Sequence, residues 1–411
     1  MTAALERFLR YVVIDTTSRH DTGAAPSTPC QWDLARLLEK EMIEMGLTDV
    51  KLDPYCIVTG TLPANRAPEG TPAIGFIAHL DTVEPGKGVK PRVIDRYDGG
   101  DILLNEQEKV TLSPAMFPGM KEHVGQCLVV TDGTTVLGAD DKAGIAAILT
   151  ALEELMAHPE IPHGVIRVAF TPDEEIGAGT DHFIARDFGV DFGYTMDGGG
   201  VGGFQYENFN AAHARVTVHG NSIHPGSAKG YMVHAATIAA EFATMIPQWE
   251  RAETTEGYEG FTHLNWMRGE VESAQLDYIV RDFDAQGLER RKNDLLKIAG
   301  LLNGRYGAGT VEVALEDNYR NMLEKVKSHP EVVTLARDAM ASLGIEMQVG
   351  AIRGGTDGAN ISNMEGGFPC PNVSSGGCNG HGKFEYLVES HLLTAVEVIK
   401  RIAALAAGAK L

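Results

Sequence analysis

The stretch Val165–Gly179, VIRVAFTPDEEIGAG, constrains the fold more than any other part of the sequence. An apolar, β-branched run gives way abruptly to three acids and then to glycines. This order is typical of a buried parallel strand that delivers carboxylates to its C-terminal edge, where open α/β sheets keep their ligand sites. Two adjacent glutamates, Glu174 and Glu175, repel each other in one pocket unless a cation or a shared proton offsets their charge. In isolation such a run is more often a solvated acidic turn, so the rest of the chain decides between the two interpretations.

Other strand-like segments also end in residues that bind metals. The predicted strand Ile74–Ala78 runs into His79 and Asp81, which point to the same side because side chains alternate along a strand. The remaining examples are Cys127–Val130, followed by Asp140 and Asp141, and Tyr194–Met196, followed by Asp197; His381 in NGHGK lies far downstream. In a doubly wound sheet, strand ends that are scattered in sequence converge in space.

The segment 212–317 has a different pattern from the rest of the chain. It reads as strand, helix, two strands, helix and strand, a βαββαβ order that is typical of a ferredoxin-like unit. We therefore predict an α/β fold in which a doubly wound mixed sheet forms a discontinuous catalytic domain, residues 1–211 and 318–411. An α+β ferredoxin-like domain, residues 212–317, is inserted into it as a lid or dimerisation domain.

The other periodic segments are predicted to be helices, at 2–13, 33–46, 145–156, 330–343 and 390–406. Segment 84–125 shows no clear periodicity, and Gly354–Gly382 is predicted to form loops.

Length and charge limit the class of protein. A chain of 411 residues is long for one hydrophobic core, and a net charge of −21 argues against nucleic acid or an anionic membrane as a partner. The five cysteines are odd in number and lack metal-site spacing, which favours reduced thiols. Because neither a signal-peptide core nor an apolar run of about 18 residues appears, we expect a cytoplasmic protein without a membrane span.

The strand-end residues form a mixed nitrogen and oxygen ligand set. Two imidazoles with three or more carboxylates suit Zn²⁺, with Co²⁺ or Mn²⁺ as substitutes. A pair of metals about 3.5–4 Å apart needs a bridging carboxylate, and such pairs recur in aminopeptidases. One glutamate would then remain as a general base, and Asp81 would orient a ligand histidine from behind.

Seven motifs occur in a fixed order: HLDT, LGADDKAG, TPDEEIGAG, DGGG, GNSIHPGSAKG, RGGTDGA and NGHGK. With these motifs the chain resembles the M20 metallopeptidase family nearly from end to end, including PSTPCQW and TEGYEGF. Within the family, the resemblance is to members that act as tripeptide aminopeptidases.

The resemblance implies a metal site with two Zn²⁺ per subunit and an assigned ligand set. The ligands of one zinc would be His79, Asp140 and Asp197, and those of the other would be His381, Glu175 and the same Asp140. Asp140 is preferred to Asp141 because the bridging residue of the family lies two positions before the lysine. Asp141 is interpreted instead as an acid that complements the dipole of the following helix. The family also implies a cis peptide bond after Asp140.

The same resemblance implies an activity. Glu174 matches the catalytic base and Asp81 the residue that orients His79. The predicted function is a dizinc aminopeptidase that releases the N-terminal residue from tripeptides, by attack of a metal-bridging water with Glu174 as general base.

Three basic residues match family positions that bind substrate. His224 would reach the scissile carbonyl, whereas Arg281 and Arg353 would hold a substrate carboxylate with their bidentate forks. The alternatives are a turn histidine before a proline for His224 and surface salt bridges for the two arginines.

Two rival functions remain open at this point. An M20-type dipeptidase or N-acyl-amino-acid amidohydrolase would share the fold, because a fold does not set a substrate. A non-enzymatic binding protein would keep the scaffold and lack turnover. The expected partners are short peptides, chiefly tripeptides, and a second copy of the chain in a homodimer through the inserted domain.

Overall fold

The computed structural model describes residues 1–409, and the chain forms two units. The first unit comprises Met1–Tyr206, Met322–Gly350 and the chain from Thr356 onward, and the second comprises Glu207–Asn321 and Ala351–Gly355. Thus the segment 351–355, placed by the sequence in the first domain, packs with the second unit. Residues 410 and 411, the end of the predicted first domain, lie outside the described residues.

The helices are α1 Ala3–Val12, α2 Gln31–Met45, α3 Ala139–Ala157, α4 Ala185–Phe188, α5 Ala235–Met245, α6 Ala285–Tyr306, α7 Leu323–Lys327, α8 Pro330–Ser342, α9 Asp357–Asn363 and α10 Glu389–Ala406. The strands are β1 Thr48–Leu52, β2 Val58–Leu62, β3 Ile74–His79, β4 Arg92–Ile94, β5 Ile102–Asn105, β6 Val110–Leu112, β7 Leu128–Val130, β8 Ile166–Thr171, β9 Phe192–Gly198, β10 Gly203–Asn208, β11 Asn210–His219, β12 Phe261–Gly269, β13 Ser273–Asp282, β14 Val311–Tyr319, β15 Gln348–Ile352, β16 Asn372–Ser374, β17 Gly377–Cys378 and β18 Tyr386–Val388.

The main sheet has the strand order β1-β2-β8-β3-β9-β16-β10-β15. Strand β3 runs parallel to β8 and β9, and β16 runs parallel to β9, while β2 pairs antiparallel with β1 and β8. The sheet is therefore mixed, which confirms the predicted fold class.

Helices cover both faces of this sheet, because side chains of its central strand alternate between two hydrophobic clusters. Phe76 and Ala78 of β3 join the cluster built with α1, α2, α3, α8 and α10. Ile77, between them, joins the opposite cluster with residues of α4 and α9. The carboxyl ends of the parallel strands thus meet at one edge, between two packed layers.

The segment without clear periodicity contains short strands. Strand β4 pairs with β7 in a small sheet of order β17-β18-β7-β4, and β5 pairs with β6 as a hairpin. Their buried side chains form a separate small cluster. Strand β7 was predicted as Cys127–Val130, but the strands within 84–125 have only three or four residues, too few to show a period, so the sequence pattern did not reveal them.

The prediction that Gly354–Gly382 forms only loops is wrong. This segment contains helix α9 and strand β16, which lies inside the main sheet between β9 and β10. A Cβ on Gly358 of α9 would lie only 2.3 Å from the carbonyl oxygen of Cys370. The glycine that made the segment look like a loop is needed for close packing.

The second unit has the order β11-α5-β12-β13-α6-β14, and its sheet order is β12-β13-β11-β14 with antiparallel pairs throughout. This is the predicted ferredoxin-like βαββαβ arrangement. The apolar faces of α5 and α6 pack on the sheet in one cluster, so the unit has its own core.

Within residues 1–409, no helix combines the length and the apolar character that crossing a membrane requires.

Candidate active site

Strands β3, β8 and β9 bring predicted site residues to one edge of the main sheet. His79 is the last residue of β3, and Asp197 is the next-to-last residue of β9. Glu174 and Glu175 form a short 3₁₀ turn that follows β8. Because these strands are parallel, their ends lie side by side.

The ring of His79 is buried and held in one orientation. Its Nδ1 lies 3.0 Å from the backbone carbonyl oxygen of Asp81 and 3.4 Å from Oδ1 of the same residue. A carbonyl oxygen only accepts, so Nδ1 carries a proton and donates it there. Its Nε2 faces Oδ1 of Asp140 at 3.0 Å. Burial opposes the charged ring, but the bonds to Asp140 and Asp81 raise the pKa of His79 well above its ordinary value.

The carboxylate of Asp140 lies between two histidines. Oδ1 faces Nε2 of His79 at 3.0 Å, and Oδ2 faces Nε2 of His381 at 3.1 Å. Nε2 of His381 also lies 2.9 Å from Oε2 of Glu175, and the bonds to Asp140 and Glu175 raise the pKa of His381 to about 11. Burial opposes ionisation of Asp140, but both imidazoles together hold the pKa of Asp140 well below its usual range. One oxygen per histidine is the orientation that a bridging carboxylate requires.

Asp141 and Asp197 complete a second group. Ligand atoms of His79, Asp141 and Asp197 lie within 4.8 Å of one another, as do those of His79, Asp140 and Glu175. Oδ1 of Asp141 accepts a hydrogen bond from the backbone N–H of Gly144 at 3.2 Å, as expected of an acid at a helix N-terminus. Oδ2 of Asp141 is buried without a partner among residues 1–409. The structure therefore places both aspartates in the cluster.

The peptide bond between Asp140 and Asp141 is cis, which confirms the sequence-based prediction.

Glu174 lies beside this cluster and is held by its backbone. Its N–H donates to Oδ1 of Asp81 at 2.9 Å, and the N–H of Glu175 donates to Oδ2 of Asp81 at 3.2 Å. No hydrogen bond to the Glu174 carboxylate occurs within the described part of the chain. Burial first, and then the charge of Asp197, raise the pKa of Glu174 well above its usual value.

The charges of the cluster are unbalanced. Burial and neighbouring carboxylates raise the pKa of Asp197 and of Asp141 well above their usual range. Oε1 of Glu175, like Oδ2 of Asp141, is buried and has no partner among the described residues. Two imidazoles, several carboxylates and two unpartnered oxygens fit a pair of divalent cations by donor chemistry and by charge.

The predicted substrate residue His224 is exposed in the second unit. Its Nδ1 accepts a hydrogen bond from the backbone N–H of Gly226 at 3.1 Å. A neutral ring with an accepting Nδ1 carries its proton on Nε2, so Nε2–H is a donor. No hydrogen bond from this Nε2 is found within residues 1–409.

The two arginines are bonded within the second unit. Nη1 of Arg281 donates to the carbonyl oxygens of Ala212 (3.1 Å) and Val280 (3.0 Å), and its guanidinium lies over the ring of Tyr319. Arg353 donates to the carbonyl oxygens of Gly257, Glu259 and Thr255 and to the Thr255 hydroxyl. These bonds hold the TEGYEGF segment, and they occupy four of the five N–H groups of Arg353.

Two residues that support the cluster were missed by the sequence analysis. Asp173, in a left-handed conformation with φ of 58°, accepts hydrogen bonds from the Ser27 N–H and the Gln31 amide, both at 2.6 Å. It thereby ties the PSTPCQW segment to the acidic turn. The carboxylate of Glu385 is also buried beside Asp140. The acidic DEE motif pointed to Asp173, whereas no pattern pointed to Glu385.

The sequence profile of peptidase family M20/M25/M40 matches residues 136–405. Peptidase T of Alkaliphilus oremlandii is 49% identical over 401 residues, covering 97% of this chain and 98% of its own. Peptidase T of Caldanaerobacter subterraneus is 50% identical over 404 residues, covering 98% of each chain. These relatives confirm the predicted resemblance, and they are named peptidase T.

Solved structures show the same fold. Aminopeptidase PepT from Bacillus cereus superimposes with a TM-score of 0.78 at 24% identity, covering 98% of both chains. A tripeptidase from Staphylococcus aureus gives 0.79 at 24% identity, covering 99% of this chain and 98% of its own. A Bacillus subtilis protein described as a dinuclear metal binding peptidase gives 0.66 at 14% identity, with 99% and 98% coverage. The chain therefore belongs to peptidase family M20/M25/M40 and is a peptide hydrolase.

Proposed function

We propose that the chain is an aminopeptidase that removes the N-terminal residue from tripeptides. One observation carries the proposal: the two oxygens of Asp140 face two different histidines, and the carboxylate of Glu174 beside them has no hydrogen-bond partner among the described residues. The names of its relatives support the substrate class, since they are peptidase T proteins and their structural counterparts include an aminopeptidase and a tripeptidase.

Two metal ions are proposed for the cluster. His79, Asp140 and Asp197 would hold one, and His381, Glu175 and the same Asp140 would hold the other. The donor set suits Zn²⁺, with Co²⁺ or Mn²⁺ as substitutes. When bound, the metals supply a Lewis acid for the scissile carbonyl and lower the pKa of a water.

Glu174 is proposed as the general base. It takes a proton from the attacking water and passes it to the leaving amine. Its burial supports this role, because a raised pKa brings a carboxylate nearer to the pH at which it must exchange protons. Asp81 is proposed as a positioning residue. It faces Nδ1 of the proposed ligand His79, and it accepts hydrogen bonds from the backbone N–H groups of Glu174 and Glu175.

His224 is proposed to donate its Nε2–H to the scissile carbonyl oxygen, the tautomer that its bond to Gly226 favours. Arg281 and Arg353 stay predicted to hold the substrate carboxylate, although only one N–H of Arg353 has no acceptor among the described residues, which allows one hydrogen bond and not a bidentate pair. The roles of the second unit as a lid and as a homodimer surface also stay predictions, as does a cytoplasmic location.

The test compares dipeptides, tripeptides, tetrapeptides and N-acyl amino acids before and after chelation, with Zn²⁺, Co²⁺ or Mn²⁺ added back. We expect release of the first residue from tripeptides, loss of activity on chelation and recovery with metal. Preferred cleavage of dipeptides or N-acyl amino acids would overturn the proposed substrate class, while the proposed metal chemistry would stand. Uptake of two metals without turnover on any substrate would identify a binding protein instead.

A further inference from the structure

Glu385 is a buried carboxylate that accepts three backbone hydrogen bonds. Its side chain is almost fully enclosed, since the residue is 1% exposed. Oε2 accepts from the N–H groups of Leu137 and Gly138, both at 2.7 Å, and Oε1 accepts from the N–H of Asp140 at 3.0 Å. Within residues 1–409 these three N–H groups have no other acceptor, so their hydrogen bonds all go to Glu385.

The residue is also fixed relative to His381. Its own N–H donates to the carbonyl oxygen of Gly382 at 3.0 Å, which closes a turn directly after the histidine. The next residue begins β18, which pairs with β17 before the turn and with β7 on its other side. The carboxylate therefore reaches from the His381 segment to the Asp140 segment, which are far apart in sequence.

We propose that Glu385 is a positioning residue that sets the spacing between His381 and Asp140. This inference rests on the proposed function, in which these two residues share one metal. Glu385 holds the backbone of Asp140, and that backbone fixes where Oδ2 of Asp140 lies against Nε2 of His381.

The chemistry of a carboxylate suits this role. Both oxygens only accept when the group is ionised, and all three partners are donors. Glutamine has the same shape, but its NH₂ group is a donor. It would face at least one backbone N–H, which is also a donor, so that hydrogen bond would be lost. Aspartate keeps the charge, but its side chain is one methylene shorter and does not span the same gap.

The experiment titrates chelated protein with Co²⁺ and follows the absorption bands of the bound ion. We expect wild type to bind two Co²⁺, and Glu385→Gln to bind one of them about 10- to 100-fold more weakly with an altered spectrum. Glu385→Asp, whose shorter side chain does not span the gap, should weaken binding of the same ion at least as much. Glu41→Gln is the matched control, because Glu41 accepts from Tyr11 and Arg10 in the same unit, away from the site.

The outcomes separate the two proposals. Fewer than two Co²⁺ in wild type would overturn the metal assignment. Two Co²⁺ in wild type with unchanged affinity and spectrum in folded Glu385→Gln would overturn the role of Glu385 alone. If neither variant folds, hydrogen exchange on chelated wild type provides the test. The amide protons of Leu137, Gly138 and Asp140 should be protected from exchange. Free exchange at these amides would also overturn the role of Glu385.

Discussion

The strand-end cluster of the first unit (His79, Asp140, Asp141, Glu175, Asp197 and His381) differs from the basic residues of the second unit in how its charged groups are paired. In the cluster, charged atoms face one another, and buried oxygens of Glu175 and Asp141 have no partner among the described residues. In the second unit, Arg281 and Arg353 already donate to carbonyl oxygens of their own unit.

The difference separates two kinds of site. Crowded buried carboxylates raise the free energy of the folded state unless cations or protons offset their charge. The cluster of the first unit is therefore stabilised by a bound cation. Arg353, which already donates four hydrogen bonds, has no comparable need for a ligand and gains less from a substrate. Geometry therefore supports the chemical roles in the first unit more directly than the binding roles in the second.

The largest expected effect tests the chemical role of the first region. Glu174→Gln should lower kcat on a tripeptide by about 10³- to 10⁴-fold, because it removes the proton acceptor. Both metals should stay bound, since Glu174 is not a proposed ligand; elemental analysis measures this. Loss of metal in the variant would make Glu174 a ligand and break the assignment.

The next effect concerns the second unit. His224→Ala should lower kcat by about 10²- to 10³-fold, because it removes the proposed donor to the carbonyl oxygen in the transition state. Metal content should be unchanged. His219→Ala serves as control, since His219 lies in the same unit and pairs with Glu312 at the surface. Equal kcat in wild type and the His224 variant would return His224 to a turn residue.

Arg353 allows the comparison to be sharpened. If its main role is to hold the 255–259 segment, Arg353→Ala should lower the free energy of unfolding by about 2 kcal/mol, because several charged hydrogen bonds are lost. KM for tripeptides should then change little for the fraction that remains folded. A rise in KM with unchanged stability, measured by urea unfolding, would favour the carboxylate-binding role.

The smallest effect is expected where acids are exposed. Glu365 pairs with Arg186 at 3.1 Å, but their side chains are 92% and 73% exposed. Glu365→Gln should change the free energy of unfolding by less than about 0.5 kcal/mol, because water screens the pair. A larger change would show that acids in the first unit matter for stability outside the cluster as well.

The sequence predicted the parts of the fold in which a periodic apolar pattern extends over several residues. The strand before Asp81, the helix after Asp141 and the βαββαβ unit were found because their apolar patterns run over several residues. Strand β16 was missed because three residues show no period, although it lies inside the main sheet. The segment 351–355 packs with the second unit, and Arg353 bonds there to the backbone of Glu259, a long-range contact that no local pattern shows.

The site could be predicted as far as its residues end strands. His79, Glu174 and Asp197 follow apolar runs and His381 stands in NGHGK, whereas the resemblance assigned each ligand to a metal and chose between the aspartates at 140 and 141. The support from Glu385 could not be predicted, because it acts through backbone N–H groups whose partners lie some 245 positions away.

Asp81 holds two consecutive N–H groups with its two oxygens, and the residues that carry those groups are proposed for different tasks. Any change that shifts this carboxylate moves a proton acceptor and a metal ligand together. Variation at position 81 is therefore pleiotropic: one substitution there disturbs the backbone of both glutamates, and with it both proposed tasks.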